Sequence, residues 1–361
     1  MKTITIDQSS VLIPSLITFI SGNRIKNKNN PLSDPKDVET FGSILISRIS
    51  NILCTVADPG DLVVVCMDKK DSDSKYWRHR LSNRVSGLYK LNRDSSLFDS
   101  VDKDGLEEAK NKYLNWCADN AIRVSYVEGF EADDIIAELV SRAPQAVIIS
   151  PDGDFNQLIT SPNVIRIDPI RYRAYRCKDD DSDWFGAHSM DGIWADAILK
   201  ALEITDISLI NANFSLLVKI LMGDTSDCIP SVHAHMTKSG KAIGVGKKTA
   251  EKMILSVFPD IASVKHYNDL SVAEKTLMCG VLKDADIKDV LKRMDENADM
   301  VILHNKKMNE WLNPVIALVD SIYNSTSNDF AGVQGVSVGE AAEIVLQTLT
   351  TPEEFSDYDF D

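Results

Sequence analysis

The sequence predicts an α/β fold whose central sheet is mostly parallel and is flanked by helices. Three apolar runs rich in β-branched residues have the length of buried parallel strands, at residues 3–6, 62–67 and 146–149. An aspartate closely follows each run, namely Asp7, Asp68 and Asp152. Because open α/β sheets keep their ligand crevice at the carboxyl ends of the strands, we expect these three carboxylates to meet there.

The remaining elements suggest a core followed by a helical second half. Apolar residues recur with a helical period in several segments, at 36–56, 102–121, 209–222 and 260–350. Further strands are expected at 123–127 and 163–177. We therefore predict a core at 1–205, a helical region at 206–350 and an acidic tail at 351–361.

Two further groups of carboxylates accompany the strand-end aspartates. Residues 131–134 are Glu-Ala-Asp-Asp, and Asp154 stands two positions after Asp152. Asp224 and Asp227 would share one face of a helical turn. Taken singly, these acids are explained at least as well by helix capping or by plain turns. Only their combination with the strand ends suggests a site.

Carboxylates at neighbouring strand ends would repel one another. Adjacent strands lie about 4.8 Å apart, and two like charges about 4 Å apart at an effective dielectric near 20 repel by roughly 4 kcal/mol. Oxygen ligands without a nearby cysteine or histidine favour Mg²⁺ or Mn²⁺ over zinc as the compensating cation. Carboxylates around two such ions are used for in-line displacement at phosphorus. The sequence thus predicts metal-dependent phosphodiester chemistry.

Composition is that of an ordinary globular protein, with 44% hydrophobic and 26% charged residues. Six scattered cysteines, the lack of a signal peptide and the lack of a membrane-spanning run indicate a reducing, cytoplasmic setting. A net charge of −15 argues against a nucleic-acid partner. Its distribution argues the other way, because residues 69–93 hold eight Lys and Arg against two Asp.

Aromatic residues stand among these cations. Tyr76, Trp77 and Tyr89 beside Arg78 and Arg84 would suit stacking on unpaired bases with neutralisation of the backbone. An amphipathic helix with its aromatics packed inward explains the pattern about as well. The position of the segment directly after Asp68 favours contact with a substrate.

A glycine hairpin precedes a predicted helix in the second half. Gly244 and Gly246 would expose backbone N–H groups to a phosphate, and Lys247, Lys248 and Thr249 follow at the helix start. The spacing is not that of a Walker loop. The hairpin is therefore predicted to grip a nucleic-acid backbone without reading its sequence.

The ordered set of motifs resembles the 5′ nuclease superfamily, which includes flap endonucleases and the 5′→3′ exonuclease domains of bacterial polymerases. Within it the resemblance is to the ribonuclease H and 5′ exonuclease proteins of T-even-type bacteriophages. The matching text is Ile6-Asp7, Cys66-Met67-Asp68, Tyr76-Trp77-Arg78, Tyr89-Lys90-x-Asn92-Arg93, Glu131-Ala-Asp133-Asp134, Ser150-Pro-Asp-Gly-Asp-Phe155, Gly223-Asp224-x-x-Asp227-x-Ile229-Pro230 and 244–250.

The resemblance implies a PIN-like 5′ nuclease core, a basic helical arch at 69–98, and a helix–two-turn–helix element at 223–257 in a duplex-binding second half. It implies two Mg²⁺ or Mn²⁺ ions. The first would be held by Asp7, Asp68, Glu131, Asp133 and Asp152, the second by Asp154, Asp224 and Asp227, with Asp134 as a further ligand. Lys90 and Arg93 match arch residues that stabilise charge on the scissile phosphate. A potassium ion is implied at the 244–250 hairpin.

The implied activity is hydrolysis near 5′ ends of DNA carrying a flap, nick or overhang, and of RNA primers in RNA–DNA hybrids, during phage replication. A phage single-strand binding protein or replisome components are the implied protein partners. Two alternatives remain: a non-catalytic nucleic-acid-binding scaffold on this fold, and a PIN-type ribonuclease. The chain departs from the family pattern at Cys228, at Ser231, in an extra segment at 233–243 and in a longer segment at 179–212.

Overall fold

A computed structural model describes most of the chain. The described residues are 1–25, 30–72, 75–78, 89–90, 101–177, 193–236, 242–283, 285–303 and 309–324. Most of the predicted arch at 69–98 and the whole acidic tail at 351–361 therefore lie outside the described residues.

The core is built on a sheet of seven strands in the order β3-β2-β1-β4-β5-β6-β7. Every neighbouring pair is parallel except β5 with β6. This confirms the predicted fold class. The strands are β1 Thr3–Asp7, β2 Leu62–Cys66, β3 Arg123–Ser125, β4 Ala146–Ile149, β5 Val164–Asp168, β6 Arg173–Cys177 and β7 Asp206–Ile210.

Helices cover both faces of this sheet, as a parallel sheet requires. In sequence order they are α1 Gln8–Ile25, α2 Pro35–Val56, α3 Lys103–Asp119, α4 Ala132–Arg142, α5 Ile193–Ala201, α6 Ala212–Met222, α7 Lys247–Leu255, α8 Val272–Cys279, α9 Ile287–Val301 and α10 Asn309–Asn324. Local signals start several of them. Asp34 caps α2 by accepting a hydrogen bond from the Lys36 amide at 2.9 Å, and Pro35 occupies the first helical position.

Side-chain alternation along the strands separates two apolar cores. Ile4 and Ile6 of β1 pack with α1, α2, α3 and α5 on one face. Val64 of β2 and Ile148 of β4 point to the other face, where they pack with α4 and with the helices of the second half, α6 to α10. The second half is thus built onto the face of the sheet that carries α4.

The predicted end of the core at residue 205 is corrected by β7. Residues 206–210 pair with β6 as the last strand of the sheet, so the predicted helix over 209–222 begins only at Ala212. Leu209 is 46% exposed, as fits a strand at the sheet edge. The strand and the helix that follows are both apolar, so the apolar run alone does not show where one ends and the other begins.

The extra segment before the glycine hairpin forms a small ribbon. Strands β8 Ala234–Met236 and β9 Ala242–Gly244 pair antiparallel. Ser231 closes its base, since its hydroxyl accepts a hydrogen bond from the Val245 amide at 2.7 Å and donates to the His233 carbonyl at 3.0 Å. The described part of the extra segment therefore begins and ends beside Ser231, just before α7.

Among the described helices, none has the length and apolarity needed to cross a membrane.

One glycine tests the packing of α3 against the loop before α2. A Cβ on Gly105 would overlap the backbone carbonyl of Leu32 and approach Val38 Cγ2 to 3.1 Å. We expect Gly105→Ala to lower the free energy of unfolding by about 1–3 kcal/mol, the usual cost of overpacking. Urea denaturation followed by circular dichroism measures it.

Gly22→Ala in α1 is the matched control, because nothing lies within 4 Å of its added methyl group. A helical alanine there should stabilise by roughly 0.5–1 kcal/mol. Equal stability of Gly105→Ala and the wild-type protein would contradict this packing of α3.

Candidate active site

The strand-end aspartates lie together at one edge of the sheet. Strand β1 runs between β2 and β4, so Asp7, Asp68 and Asp152 emerge side by side from three adjacent strands. They line one cleft, whose other walls include Ser9, Ser10, Ile13, Pro14, Lys90, Glu131, Asp133, Pro151 and Arg171. The cleft occupies the point where the strand order reverses, which is the expected ligand position in an open α/β sheet.

Backbone and hydroxyl donors fix two of these carboxylates. Asp7 accepts hydrogen bonds from the Ser10 amide at 3.4 Å and from the Ser150 hydroxyl at 3.2 Å. Asp68 accepts from the Ala132 amide at 2.7 Å and from the Ser9 hydroxyl at 3.1 Å. Since Ala132 opens α4, the Asp68 carboxylate also ties that helix to the end of β2.

The first turn of α4 delivers Asp133 to the same cleft. Glu131 is the N-cap residue and forms a capping box with Asp134. Asp133 stands between them, and its carboxylate joins those of Asp152 and Asp154 in a group whose ligand atoms all lie within 4.8 Å of one another. The acids at 131–134 therefore serve as helix caps and as part of the cleft at the same time.

A second group of carboxylates adjoins the first through Asp154. The ligand atoms of Asp154, Asp224 and Asp227 also lie within 4.8 Å of one another. The loop that carries the last two is closed by a pair of backbone hydrogen bonds between Asp224 and Ile229, of 2.8 and 2.7 Å. The second group has the three acids expected for the second ion, whereas the first contains Asp133 and Asp152 of the expected first set together with Asp154.

Burial and mutual repulsion act against ionisation of Asp7 and Asp133. Burial, followed by the charges of Asp68 and Asp152, raises the pKa of Asp7 to about 7. Burial and the neighbouring carboxylates also raise the pKa of Asp133 well above its usual value. This concentration of negative charge calls for a bound cation.

Lys219 balances part of the second group. Its ammonium pairs with Asp154 and lies 2.8 Å from Asp224. Burial and Asp152 still raise the pKa of Asp154 to about 6. For Asp224 burial acts in the same direction, but Lys219 outweighs it and lowers the pKa to about 2.

The donor set suits a hard divalent cation. Both groups offer carboxylate oxygens alone, which is the ligand type of Mg²⁺ and Mn²⁺. Cys66 ends β2 nearby but belongs to neither group, and burial raises the pKa of its thiol well above the usual value. The residues present therefore fit the two expected ions.

Four residues expected to contact nucleic acid are buried instead. Tyr76, Trp77 and Tyr89 are each 5% exposed and Arg78 is 2% exposed. In this arrangement their side chains cannot stack on bases, which corrects the expectation for Tyr76, Trp77, Arg78 and Tyr89. The alternative, aromatics packed inward, is the one the structure shows. For Trp77, Arg78 and Tyr89 the physical reason is that their polar atoms donate hydrogen bonds to Glu131 or Asp134.

Arg78 is the centre of that buried arrangement. Its guanidinium contacts Glu131 Oε2 at 2.7 Å and both oxygens of Asp134 at 2.7 and 3.1 Å. It also lies over the Trp77 ring, 4.8 Å from the ring centroid. The indole N–H of Trp77 donates to Asp134 at 2.8 Å. Both Asp134 oxygens are thereby engaged inside the protein, so the expectation that Asp134 is a metal ligand is corrected.

Glu131 lies in the wall of the cleft and connects it to the arch segment. It accepts hydrogen bonds from the Tyr89 hydroxyl, at 2.9 Å, and from the Lys90 ammonium. Burial alone would raise the pKa of Glu131, but Lys90 and Arg78 lower it below the usual value. Lys90 has a positive φ of 55°, and its amide donates to the Asp227 carbonyl at 3.1 Å. Lys90 of the arch segment thus contacts both the N-cap acid of α4 and the loop that carries Asp227.

The remaining predicted residues divide between the surface and the undescribed part. Gly244, Gly246, Lys247, Lys248 and Thr249 are exposed where β9 leads into α7, and Gly246 is the N-cap residue of that helix. Arg84 and Arg93 lie outside the described residues.

Two basic residues near the carboxylates were not singled out from sequence. Arg171, at the cleft, pairs with Asp168 at 3.1 Å while its side chain stays 66% exposed. The other is Lys219 of α6, which contacts the second group. A lysine in the otherwise apolar last turns of α6, shortly before two aspartates, is the signal that could have found it.

Comparison with known proteins agrees with this geometry. Residues 25–182 match the family described as 5′-3′ exonuclease, N-terminal resolvase-like domain. A segment of 127 residues, 34% of this chain, is 32% identical to ribonuclease H of Enterobacteria phage T4 and covers 40% of that protein. These matches support the 5′ nuclease superfamily as the family that this chain resembles.

A bacterial DNA polymerase extends the comparison. DNA polymerase I of Synechocystis sp. is 24% identical over 215 residues, which are 56% of this chain and 18% of the polymerase. The matches thus span less than half the length of these two curated relatives.

Solved structures share the fold at low identity. The bacteriophage T5 D15 flap endonuclease, in a complex with DNA and metal ions, aligns with a TM-score of 0.55 and 16% identity, covering 90% of this chain and 98% of that one. The T5 D15 protein co-crystallised with metal ions gives 0.53 and 16%, covering 91% and 100%. The likeness in fold therefore extends through the helical second half of the chain.

The buried Arg78 gives a test of how α4 is held. Arg78→Met would leave Glu131 and Asp134 buried without their strongest partner, so we expect the free energy of unfolding to fall by about 3–5 kcal/mol. Arg78→Lys keeps the charge but loses the forked geometry, and should fall between that variant and wild type. Urea denaturation measures both.

Arg173→Met is the control, because Arg173 pairs with Asp206 at the surface. Its unfolding midpoint should stay close to that of the wild-type protein. If Arg78→Met and Arg173→Met prove equally stable, Arg78 does not balance the buried acids of α4.

Proposed function

We propose that the chain is a structure-specific 5′ nuclease that depends on divalent metal ions and hydrolyses phosphodiesters near the 5′ ends of DNA flaps or nicked duplexes. The observation that carries the proposal is the meeting of two carboxylate groups at the switch point of the sheet, sharing Asp154, with Lys90 beside them. The match to the 5′ nuclease superfamily supports the same reaction class.

The two carboxylate groups would hold two Mg²⁺ or Mn²⁺ ions. The carboxylates of Asp7, Asp68, Asp133 and Asp152 would hold the first ion, with Glu131 at its edge. The carboxylates of Asp154, Asp224 and Asp227 would hold the second ion. When bound, such ions supply charge stabilisation and activation of water for displacement at phosphorus.

The basic side chains at the cleft would act on the substrate. The Lys90 ammonium lies at the wall of the cleft, where it can donate to an oxygen of the scissile phosphate and stabilise the charge that develops there. Arg171 is exposed at the same cleft and can neutralise an adjacent phosphate. Arg93 is proposed to assist Lys90, by the family resemblance alone.

Further parts of the proposal rest on resemblance. The exposed start of α7, with Lys247 and Lys248, would hold the duplex backbone, and a potassium ion would bind at the 244–250 hairpin. RNA primers in RNA–DNA hybrids would be a second substrate. A role in phage DNA replication, beside a single-strand binding protein or replisome components, is proposed from the family resemblance alone.

The experiment is cleavage of an end-labelled 5′-flap duplex in Mg²⁺. We expect the wild-type chain to cut at or near the flap junction and to lose this activity in EDTA. Asp152→Asn should lower the rate by at least about 100-fold, equivalent to roughly 2.7 kcal/mol of transition-state stabilisation. Binding of the flap duplex by this variant should stay within a few-fold of wild type, because the phosphate contacts of the duplex-binding region are kept.

Asp119→Asn, an exposed carboxylate at the end of α3, is the matched control and should cleave at the wild-type rate. Tight flap binding without cleavage in Mg²⁺ or Mn²⁺ would favour the scaffold alternative. Faster cleavage of single-stranded RNA than of the flap would favour a PIN-type ribonuclease. Wild-type cleavage by Asp152→Asn would contradict the site.

A further inference from the structure

We propose that Asn297 of α9, together with Gln157, is a positioning residue for the second carboxylate group. Both amides lie between this helix and a loop that carries carboxylates of the group. The inference deepens the proposed function, because it rests on Asp154, Asp224 and Asp227 holding an ion. The inference assigns a role to α9, a helix in which the sequence shows no chemical motif.

Asn297 fastens both ends of the loop that carries Asp224 and Asp227. Its side-chain amide donates to the carbonyl of Ile220, in the last turn of α6, at 2.9 Å and to the carbonyl of Pro230 at 2.8 Å. One carbonyl precedes the loop and the other follows it. Asn297 is 1% exposed, so water cannot replace these two hydrogen bonds if the amide is removed.

The loop between those carbonyls has little freedom elsewhere. Gly223 ends α6 with a positive φ of 71°, and a Cβ there would overlap the backbone of Ile229 and Pro230. The backbone pair between Asp224 and Ile229 closes the loop. The Asn297 amide completes this closure from outside the loop, and so fixes where the two carboxylates stand relative to α9.

Gln157 fastens the other loop of the second group to the same helix. Its side-chain amide donates to the carbonyl of Asp154 at 3.0 Å and to the carbonyl of Val301 at 3.2 Å. Its side-chain oxygen accepts a hydrogen bond from the Leu303 amide at 2.9 Å. The end of α9 is thereby tied to the turn that carries Asp152 and Asp154.

Helix α9 therefore spans the two loops that must approach each other to form the second group. One loop follows β4 of the core, and the other follows α6 of the helical second half. Their carboxylates repel each other, and Lys219 offsets that repulsion only in part. The Asn297 amide on α9 and the Gln157 amide, which binds the end of α9, oppose separation of the loops. Residues beyond the ligands tune a metal site in this way.

The test measures ion binding directly. Free Mn²⁺ is titrated by electron paramagnetic resonance against the full-length wild type, Asn297→Leu and Gln157→Leu, without substrate. Asp227→Asn identifies which binding step belongs to the second group. We expect Asn297→Leu to weaken that step by about 10–100-fold, the usual range for residues that support metal ligands, and to leave the other step within about two-fold. Gln157→Leu should act in the same direction.

Asn213→Leu is the matched control. Asn213 lies in the first turn of α6, at the end far from Asp224, and its amide donates to the Val264 carbonyl at 2.9 Å. It should lower stability without changing either binding step. Circular dichroism confirms that each variant is folded, and Gln157→Leu keeps the test open if Asn297→Leu does not fold.

The outcomes separate this inference from the proposed function. Wild-type Mn²⁺ affinities in folded Asn297→Leu and Gln157→Leu would overturn the inference, and so would equal weakening of both steps. Selective weakening of the second step supports it even if the wild-type chain cleaves no flap, a result that would overturn only the proposed function. If the chain cleaves, excess Mg²⁺ should restore the rate of Asn297→Leu, whereas a merely unfolded fraction would stay inactive.

Discussion

Repulsion among carboxylates gathered at one edge of the sheet is the constraint on which the rest of this site depends. The parallel order of β2, β1 and β4 places three aspartates side by side, and α4 adds Asp133. Within the described part of the chain, Arg78 and Lys90 pair with Glu131, and Lys219 pairs with Asp154 and Asp224. Asp7 and Asp133 keep raised pKa values. The fold thus concentrates negative charge where divalent cations would complete it.

The same balance explains why residues that look suited to nucleic acid are buried. An arginine, a tryptophan and a tyrosine beside a strand-end aspartate have the composition of a base-stacking surface. Here the guanidinium of Arg78 and the indole of Trp77 donate hydrogen bonds to Glu131 and Asp134, the acids that cap α4. Trp77 and Arg78 are therefore attached to the N-terminus of α4. Lys90 joins the two parts of the site. Its ammonium pairs with Glu131, and its backbone amide donates to the Asp227 carbonyl.

The helical second half completes a site that the core begins. Asp154 follows β4, whereas Asp224 and Asp227 follow α6, so the second group exists only when the two halves of the chain are packed together. Hydrogen bonds from Gln157 and Asn297 cross between these parts at α9. A helix without a motif of its own can in this way govern the geometry of acids that are distant in sequence.

The sequence by itself determined the parallel strands, the acids at their ends and the family resemblance, because buried strands and the acids that follow them leave a local signature of residue type and spacing. It also placed most helices, but it merged β7 with the helix after it, since an edge strand and a helix can share an apolar run. Tertiary structure alone decided that Asp134 and Arg78 face inward and that Lys219, Asn297 and Gln157 support the second group. Those roles depend on contacts between residues far apart in the chain, which no local pattern encodes.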